Sequence, residues 1–435
     1  MIEIQNFINN QSQPALSGES IDVFEPAVGM PYARLANSGP KDIELAITSA
    51  KAAFPDWARV SNEDRGLLLN RIADLIESRS SELARAESKD TGKPISLAKN
   101  VDIPRAVANF RFFAAAATQF SSESHSMGEH AINYTLRRPV GVVACISPWN
   151  LPLYLLTWKI APALACGNTV VAKPSEVTPY TAFLLGQIFI DAGMPAGVVN
   201  IVNGEGGIAG ASLVSHPEIK AISFTGSTAT GAKIAESTAS QFKKLSLEMG
   251  GKNPTLIFED CDLEKAIAGV LRSSFTNQGQ VCLCGSRILV QESIYESFRD
   301  ALIEQTLKLK SGDPQNPETT QGALVSRQHF EKVCSYIELA KAEGGTILCG
   351  GISSSKGRCA DGWFIKPVLI EGLPNNCRVN QEEIFGPVAS LQSFKDEAEA
   401  IKLANDSDYG LACSIWSQNL SRCHRLANEV ECGIV

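Results

Sequence analysis

The sequence predicts an α/β fold: a Rossmann-like parallel sheet covered by helices, followed by a second α/β domain. Three observations predict it. Short apolar runs alternate with helical stretches after His130, glycine-bearing turns follow several of those runs, and 435 residues at 44% apolar and 20% charged are enough for two or three domains with cores of their own. Parallel strands need a crossover between them, and a helix is the usual one.

The elements follow in order. The segment from Lys41 to about Phe120 reads as helical. Ile43 to Phe54 carries apolar residues at i, i+3 and i+4, and Arg65 to Glu77 and Ser80 to Lys89 continue the pattern. Asp102 to Phe120 is a further amphipathic helix, with Pro104 tolerated in its first turn. Strands are then expected at Val140–Ile146, Thr169–Ala172, Val198–Val202 and Ala221–Phe224, separated by helices over Leu153–Ala165, Pro179–Ala192 and Gly207–Ser215. Sheets of this kind bind ligands beyond the carboxyl ends of their strands, so the loops after these runs are where chemistry is expected. Glu248 closes a further apolar strand. The alternation resumes after Gly250-Gly251 with Pro254–Phe258, Arg287–Val290, Thr346–Leu348 and Phe364–Ile370, which makes the double glycine the expected domain boundary.

Composition removes several function classes. Lys and Arg number 39 against 47 Asp and Glu, a net charge of −8, so the surface does not suit nucleic acid. No run of ~18 uncharged apolar residues spans a membrane. The start, Met1-Ile-Glu-Ile-Gln-Asn6, lacks the basic-then-apolar order of a signal peptide, and a cytoplasmic protein is expected. The twelve cysteines are irregularly spaced in a chain too long to need disulfide staples. Cys282-Leu-Cys284 is too tight for a zinc knuckle, and His125, His130, His216, His329 and His424 are scattered, so no metal site is expected.

Gly204-Glu-Gly206-Gly207-Ile-Ala-Gly210 follows a strand and opens a helix, but its spacing is one residue longer than G-x-G-x-x-G. Gly226-Ser227-Thr-Ala-Thr-Gly231-Ala-Lys233 has an alanine between glycine and lysine, which excludes a P-loop. Each is either a plain strand-to-helix turn or a helix N-terminus that accepts a pyrophosphate. Cys282, in Asn277-Gln-Gly-Gln-Val-Cys282, lies between a helical run and a strand, and is either a buried inert thiol or an exposed nucleophile. Glu248 offers a general base or an ion-pair role. Asn150, in Ser147-Pro-Trp149-Asn150, offers an oxyanion donor or a satisfied turn.

Taken together, six ordered segments resemble the aldehyde dehydrogenase superfamily: Ser147-Pro-Trp-Asn150, Ala172-Lys-Pro-Ser-Glu176, Phe224-Thr-Gly-Ser227, Leu247-Glu-Met-Gly-Gly-Lys252, Gly279-Gln-Val-Cys282 and Glu382-Glu-Ile-Phe-Gly-Pro387. The resemblance runs from about Ile8 to Val435. Within the superfamily, Asp102-Ile-Pro-Arg105, Asn109 to Phe113, Asn150 to Lys159 and Arg272 to Asn277 are most similar to the muconic semialdehyde dehydrogenases.

The resemblance implies an aldehyde dehydrogenase fold with an NAD-binding domain over 1–118 and 139–250, an oligomerisation hairpin over 119–138 and a catalytic domain over 251–435. It implies Cys282 as nucleophile, Asn150 as oxyanion donor and Glu248 as general base. NAD is the implied cofactor. Lys173 and Glu176 would hold the adenosine ribose, with Gly206 on the adenine side. Trp149 and Ser227 would face the pyrophosphate, Glu383 and Phe385 the nicotinamide ribose and ring, and Ser147, Gly226 and Gly250 would also bind the cofactor. Arg105 would read a carboxylate on a small-molecule semialdehyde substrate, and the assembly would be a homodimer or homotetramer. Glu248 argues against a CoA-acylating member, while a general or betaine-type aldehyde dehydrogenase and an inactive shortened member are the alternatives. Family members continue beyond the position of Val435 with a strand, a pocket loop and a pairing arm, so the expectation is that Glu431-Cys-Gly-Ile-Val435 is cut from a longer parent.

Overall fold

The computed structural model describes residues 1–353 and 356–435. The chain divides into two compact units, the first comprising Met1–Phe24, Pro31–Asp90 and Ser96–Glu248, the second Glu25–Met30, Thr91–Ile95 and Met249–Val435.

The first unit is built on a seven-stranded sheet in the spatial order Lys244–Glu248, Ile219–Thr225, Val142–Ile146, Thr169–Lys173, Val199–Ile201, Asn6–Ile8, Gln11–Gln13. The first five strands are parallel. Thr169–Lys173 is buried at every position, and its centre, Val170-Val171-Ala172, is apolar as expected of a strand covered on both faces. Val142–Ile146 has the next strand of the chain on one side and Ile219–Thr225 on the other, so the strand order reverses beside it. In an open parallel sheet that reversal opens a crevice at the carboxyl ends.

The last two strands depart from the expected all-parallel sheet. Asn6–Ile8 pairs antiparallel with both Val199–Ile201 and Gln11–Gln13. Their turn is Asn9-Asn10, with φ of 54° and 59°. A two-residue hairpin turn of this hand needs positive φ at both positions, which asparagine tolerates best after glycine.

The helices Pro40–Trp57, Asn62–Ser78 and Ile103–Ala117 form where the i, i+3, i+4 pattern placed them. Ser61 caps the second by accepting from the Asp64 N–H. Leu69, Ile72, Phe110, Leu153, Ile160 and Phe189 are fully buried in one cluster, each worth about 1.5–3 kcal/mol of transfer energy. Residues 118–138 contain a two-stranded hairpin, Ser124–Ser126 against Ile132–Tyr134, exposed at all six strand positions.

The second unit carries a six-stranded sheet in the order Thr346–Ile352, Ile365–Glu371, Val388–Phe394, Arg287–Gln291, Pro254–Ile257, Ser414–Trp416. Thr346–Ile352 is antiparallel to its neighbour and the other pairings are parallel. Two segments expected in the first domain belong here instead. Ala323 N–H donates to the Gly92 carbonyl at 2.9 Å, Ile95 N–H to Pro314 at 2.9 Å and Trp363 N–H to Pro26 at 3.2 Å. These are backbone bonds, which leave no trace in side-chain patterning. Arg287 is wholly buried and, among the described residues, has no acidic partner. It donates to the carbonyls of Lys252, Leu403 and Ala404, closing the carboxyl end of the helix Glu397–Asn405.

Among the described residues no helix is long and apolar enough to cross a membrane, and no group of three or more His, Cys, Asp and Glu side chains is placed to hold a metal.

Candidate active site and cofactor pocket

The carboxyl ends of the first unit's parallel strands open into a pocket of about 1070 Å³. Four strand-to-helix turns line it, and they carry Ser147 and Trp149, Lys173 and Glu176, Gly206, and Gly226 and Ser227. All seven of these sequence-selected residues therefore meet in one place.

Their local chemistry is specific. The Lys173 ammonium, almost wholly buried, donates to a Glu176 carboxylate oxygen at 3.0 Å and to the Pro174 carbonyl at 3.1 Å. The other Glu176 oxygen accepts from the Gly206 N–H at 3.1 Å. Burial alone would raise the Glu176 carboxyl, but Lys173 and the backbone N–H groups outweigh it and hold the group below the usual carboxylate range. Ser227 caps the helix Thr228–Thr238, accepting from Thr230 N–H at 3.2 Å. Preceding it, Gly226 passes so close to Phe224 that a Cβ would lie 2.4 Å from the ring. The Ser147 hydroxyl is buried with no hydrogen-bond partner. A buried polar atom without a partner at the pocket wall, a helix N-terminus and an anchored carboxylate together fit a dinucleotide.

Asn150 and Glu248 lie in the same unit but do not line that pocket. Asn150 follows Val142–Ile146 and is buried; Glu248 ends Lys244–Glu248, is exposed, and its carbonyl accepts from Gly226 N–H at 3.1 Å. Between them in the chain is a residue the motif reading passed over. Lys159 is the one charged residue of the helix Pro152–Ala165 and is buried; its ammonium donates to Thr225 Oγ1 at 2.6 Å. Burial pushes its amine down to about 8, opposed by Cys145 and Glu248. A lone lysine in an apolar helix was the available signal.

Cys282 belongs to the second unit. Three consecutive left-handed residues, Asn277, Gln278 and Gly279 (φ 54°, 56° and 69°), turn the chain before it. A Cβ on Gly279 would lie 2.1 Å from the Gly386 carbonyl, so that position admits only glycine. Asn253 fixes the far side of the loop, donating to the Cys282 and Cys284 carbonyls at 2.7 and 3.0 Å. Cys282 is partly exposed, whereas Cys284 is buried and burial pushes its thiol up to about 12. Of the pair, only Cys282 can be reached from solvent. Glu383 sits nearby in the sequence-selected set: its carboxylate accepts from Gly251 N–H at 3.0 Å, and a Cβ on Gly250 would lie 2.2 Å from it. Burial raises the Glu383 carboxyl. Phe385 has φ of +61°. Arg105, in the first unit, donates to the Tyr154 hydroxyl at 2.9 Å and lies 5.1 Å from that ring.

A model of the aldehyde dehydrogenase family matches residues 13–435. The chain belongs to the aldehyde dehydrogenase family. Among the similar proteins of this family is a 2-aminomuconic semialdehyde dehydrogenase of Danio rerio, 48% identical over 436 residues, covering 99% of this chain and 89% of that protein. A 2-hydroxymuconic semialdehyde dehydrogenase of a Pseudomonas species is 46% identical over 442 residues, covering 100% and 91%. The NAD⁺ complex of an aldehyde dehydrogenase from Bacillus cereus superposes with a TM-score of 0.97 at 39% identity, covering 100% of this chain and 88% of that one. The expected aldehyde dehydrogenase fold is thus the fold observed.

Proposed function

We propose that this member of the family oxidises a carboxylate-bearing muconic-type semialdehyde to the acid with NAD. The observation that carries the reading is the contrast within Cys282-Leu-Cys284: an accessible thiol on a loop braced by Asn253, beside a buried one. The Cys282 thiolate attacks the aldehyde carbon to give a thiohemiacetal. The Asn150 amide and the Cys282 N–H hold its oxyanion, a role in which one donor is typically worth ~10²–10³ in rate. The dinucleotide, when bound, supplies the hydride acceptor that converts thiohemiacetal to thioester. Glu248 takes a proton from water, the hydroxide adds to the thioester, and the carboxylic acid leaves as the thiolate is restored. NADH formation from 2-hydroxymuconic semialdehyde, followed against hexanal and with NAD against NADP, tests the whole reading. No NADH from the semialdehyde, or equal efficiency on both aldehydes, overturns it.

Lys173 and Glu176 would hold the adenosine ribose, Gly206 would lie at the adenine side, Ser147, Trp149, Gly226 and Ser227 would receive the pyrophosphate, and Gly250, Glu383 and Phe385 would border the nicotinamide riboside. The Glu176 carboxylate accepts from a 2′-hydroxyl and repels a 2′-phosphate. Glu176→Gln is expected to raise the NADP-to-NAD ratio of kcat/KM by roughly 10-fold or more, the scale of one lost charge contact. An unchanged ratio places the ribose contact elsewhere.

Arg105 supports the substrate class. Among the described residues its side chain donates to the Tyr154 hydroxyl and no carboxylate pairs with it, so its charge is left for a ligand. A charge-assisted bidentate pair contributes about 1.5–3 kcal/mol. Arg105→Ala is therefore expected to lower kcat/KM for the muconic semialdehyde by roughly 10–150-fold and to leave hexanal nearly unchanged. Equal losses on both would make Arg105 a support of the fold.

The exposed hairpin side chains Met127, Ile132 and Tyr134, with Leu136 beyond, suit burial against a second copy, as a homodimer or homotetramer requires. Cysteines buried as thiols rather than joined as disulfides, Cys145, Cys284 and Cys413 among them, suit a reducing compartment such as the cytoplasm.

A further inference from the structure

One face of the helix Arg327–Ala342 is committed to the loop that carries Glu383 and Phe385. His329 Nε2 lies 2.7 Å from the Phe385 carbonyl, and its ring meets the Phe385 ring edge-on at 6.2 Å and 71°. One turn on, the Lys332 ammonium donates to the Glu383 carbonyl at 3.1 Å. One turn further, the Tyr336 hydroxyl donates to the Glu382 carboxylate. Val333, between them, packs so tightly on Gly386 that a Cβ there would lie 2.6 Å from its methyl group. Positions 329, 332, 333 and 336 are i, i+3, i+4 and i+7, a single stripe of the helix.

His329 is the member of that stripe with the most specific task. Phe385 adopts φ of +61°, a conformation that a bulky aromatic residue avoids unless its surroundings impose it. A carbonyl can only accept, so Nε2 must carry the proton, and His329 is the donor that fixes the plane of the peptide following Phe385. Its own position is fixed in turn, because the His329 N–H donates to the helix-capping Ser326 hydroxyl at 3.1 Å. Burial pushes the imidazole down to about 4, so the ring is neutral throughout the range in which a thiolate enzyme is assayed, and the bond does not depend on pH there.

We propose that His329 is a positioning residue for hydride transfer: by holding the Phe385 carbonyl it fixes the Phe385 ring, and with it the loop bearing Glu383, in the conformation that borders the nicotinamide. This rests on the reading above that Phe385 and Glu383 face the nicotinamide riboside. Neither the spacing of His329 nor its residue type marks it in the sequence, because its target is a main-chain oxygen.

The test compares His329→Leu, His329→Asn and His329→Gln by stopped-flow NADH formation with hexanal and its 1-deuterated form, alongside melting temperature. Leucine removes the donor and asparagine is too short to reach. Both are expected to slow the first NADH turnover by about 10–100-fold, the scale of a misplaced reacting pair, and to enlarge the deuterium isotope effect while leaving the KM for hexanal unchanged. Glutamine places an amide N–H near the same point and is expected to stay within about threefold of the parent. An undiminished first turnover in His329→Leu, or a fall in His329→Gln as large as in His329→Leu, overturns the proposal. So does loss of folded protein in both the leucine and the asparagine variants, since that marks a structural residue. Phe385→Leu separates the two readings: if it leaves the first turnover and the KM for NAD unchanged, the placement of Phe385 beside the nicotinamide fails, whatever His329 does.

Discussion

Cys282→Ser is expected to abolish aldehyde oxidation, lowering kcat/KM by at least about 10³-fold, while NAD binding stays within about threefold of the parent. The change replaces one atom on a loop whose backbone is held by Asn253 and by the left-handed turn at 277–279, so the loop itself should persist. What is lost is the ease of ionisation: a serine hydroxyl gives its anion far less readily than a thiol near neutral pH. The neighbouring thiol cannot substitute, because Cys284 is buried and its pKa lies near 12. The pocket assigned to the adenosine half lies in the other compact unit and includes no cysteine, which is why binding should survive. Titration of NAD by quenching of protein fluorescence, beside steady-state NADH formation, checks both halves. Retention of more than a few per cent of the rate, or loss of activity in Cys284→Ser, would move the nucleophile.

The second large effect is expected at Glu248. Glu248→Ala should allow the first oxidation and then stop, giving one equivalent of NADH per site followed by a steady rate lower by about 10²–10⁴-fold, the usual worth of a positioned general base. The residue stands at the carboxyl end of the edge strand Lys244–Glu248, with its side chain exposed and its backbone tied to Gly226. Removing the side chain should therefore leave the strand in place. The stalled species carries its acyl group on Cys282, so digestion and mass spectrometry should find the added mass on the peptide containing that residue. A steady rate near normal, or a low rate with no initial equivalent, would put the base elsewhere. Lys159 gives a secondary readout. Its amine is already pushed down to about 8 by burial, with Glu248 opposing that, so loss of the carboxylate should lower it further.

Much of this architecture was legible in the residues, and the exceptions share a cause. Thr169–Lys173 and Val142–Ile146 announced themselves because strands covered on both faces are apolar at their centres. The turns after them were legible through Gly226 and Glu176, whose types follow from close approach and charge. The hairpin Asn6–Ile8 with Gln11–Gln13 was not, because strands of three residues carry almost no periodicity. The one clue was an Asn-Asn pair suited to two positive φ angles. The segments 25–30 and 91–95 were misassigned for a related reason: main-chain bonds to Gly92, Ile95 and Pro26 hold them, and every residue type offers those. Lys159, Asn253 and His329 escaped in the same way. Each acts on a hydroxyl or a carbonyl of a residue distant in sequence, with no fixed spacing to betray it.

The distribution of the twelve cysteines also makes the chain its own gauge of local opening. Cys145, Cys284, Cys359, Cys377 and Cys413 are buried, at stations in the cores of both units, while Cys282 is partly exposed and Cys166 exposed. Burial pushes the thiols of Cys145, Cys284 and Cys413 up to about 12, so in the closed state they stay protonated near neutral pH. An alkylating reagent should accordingly mark Cys166 and Cys282 early and the interior thiols only as fast as their surroundings come apart. The ladder of labelling times along one chain would then chart which strands separate first, without any engineered probe.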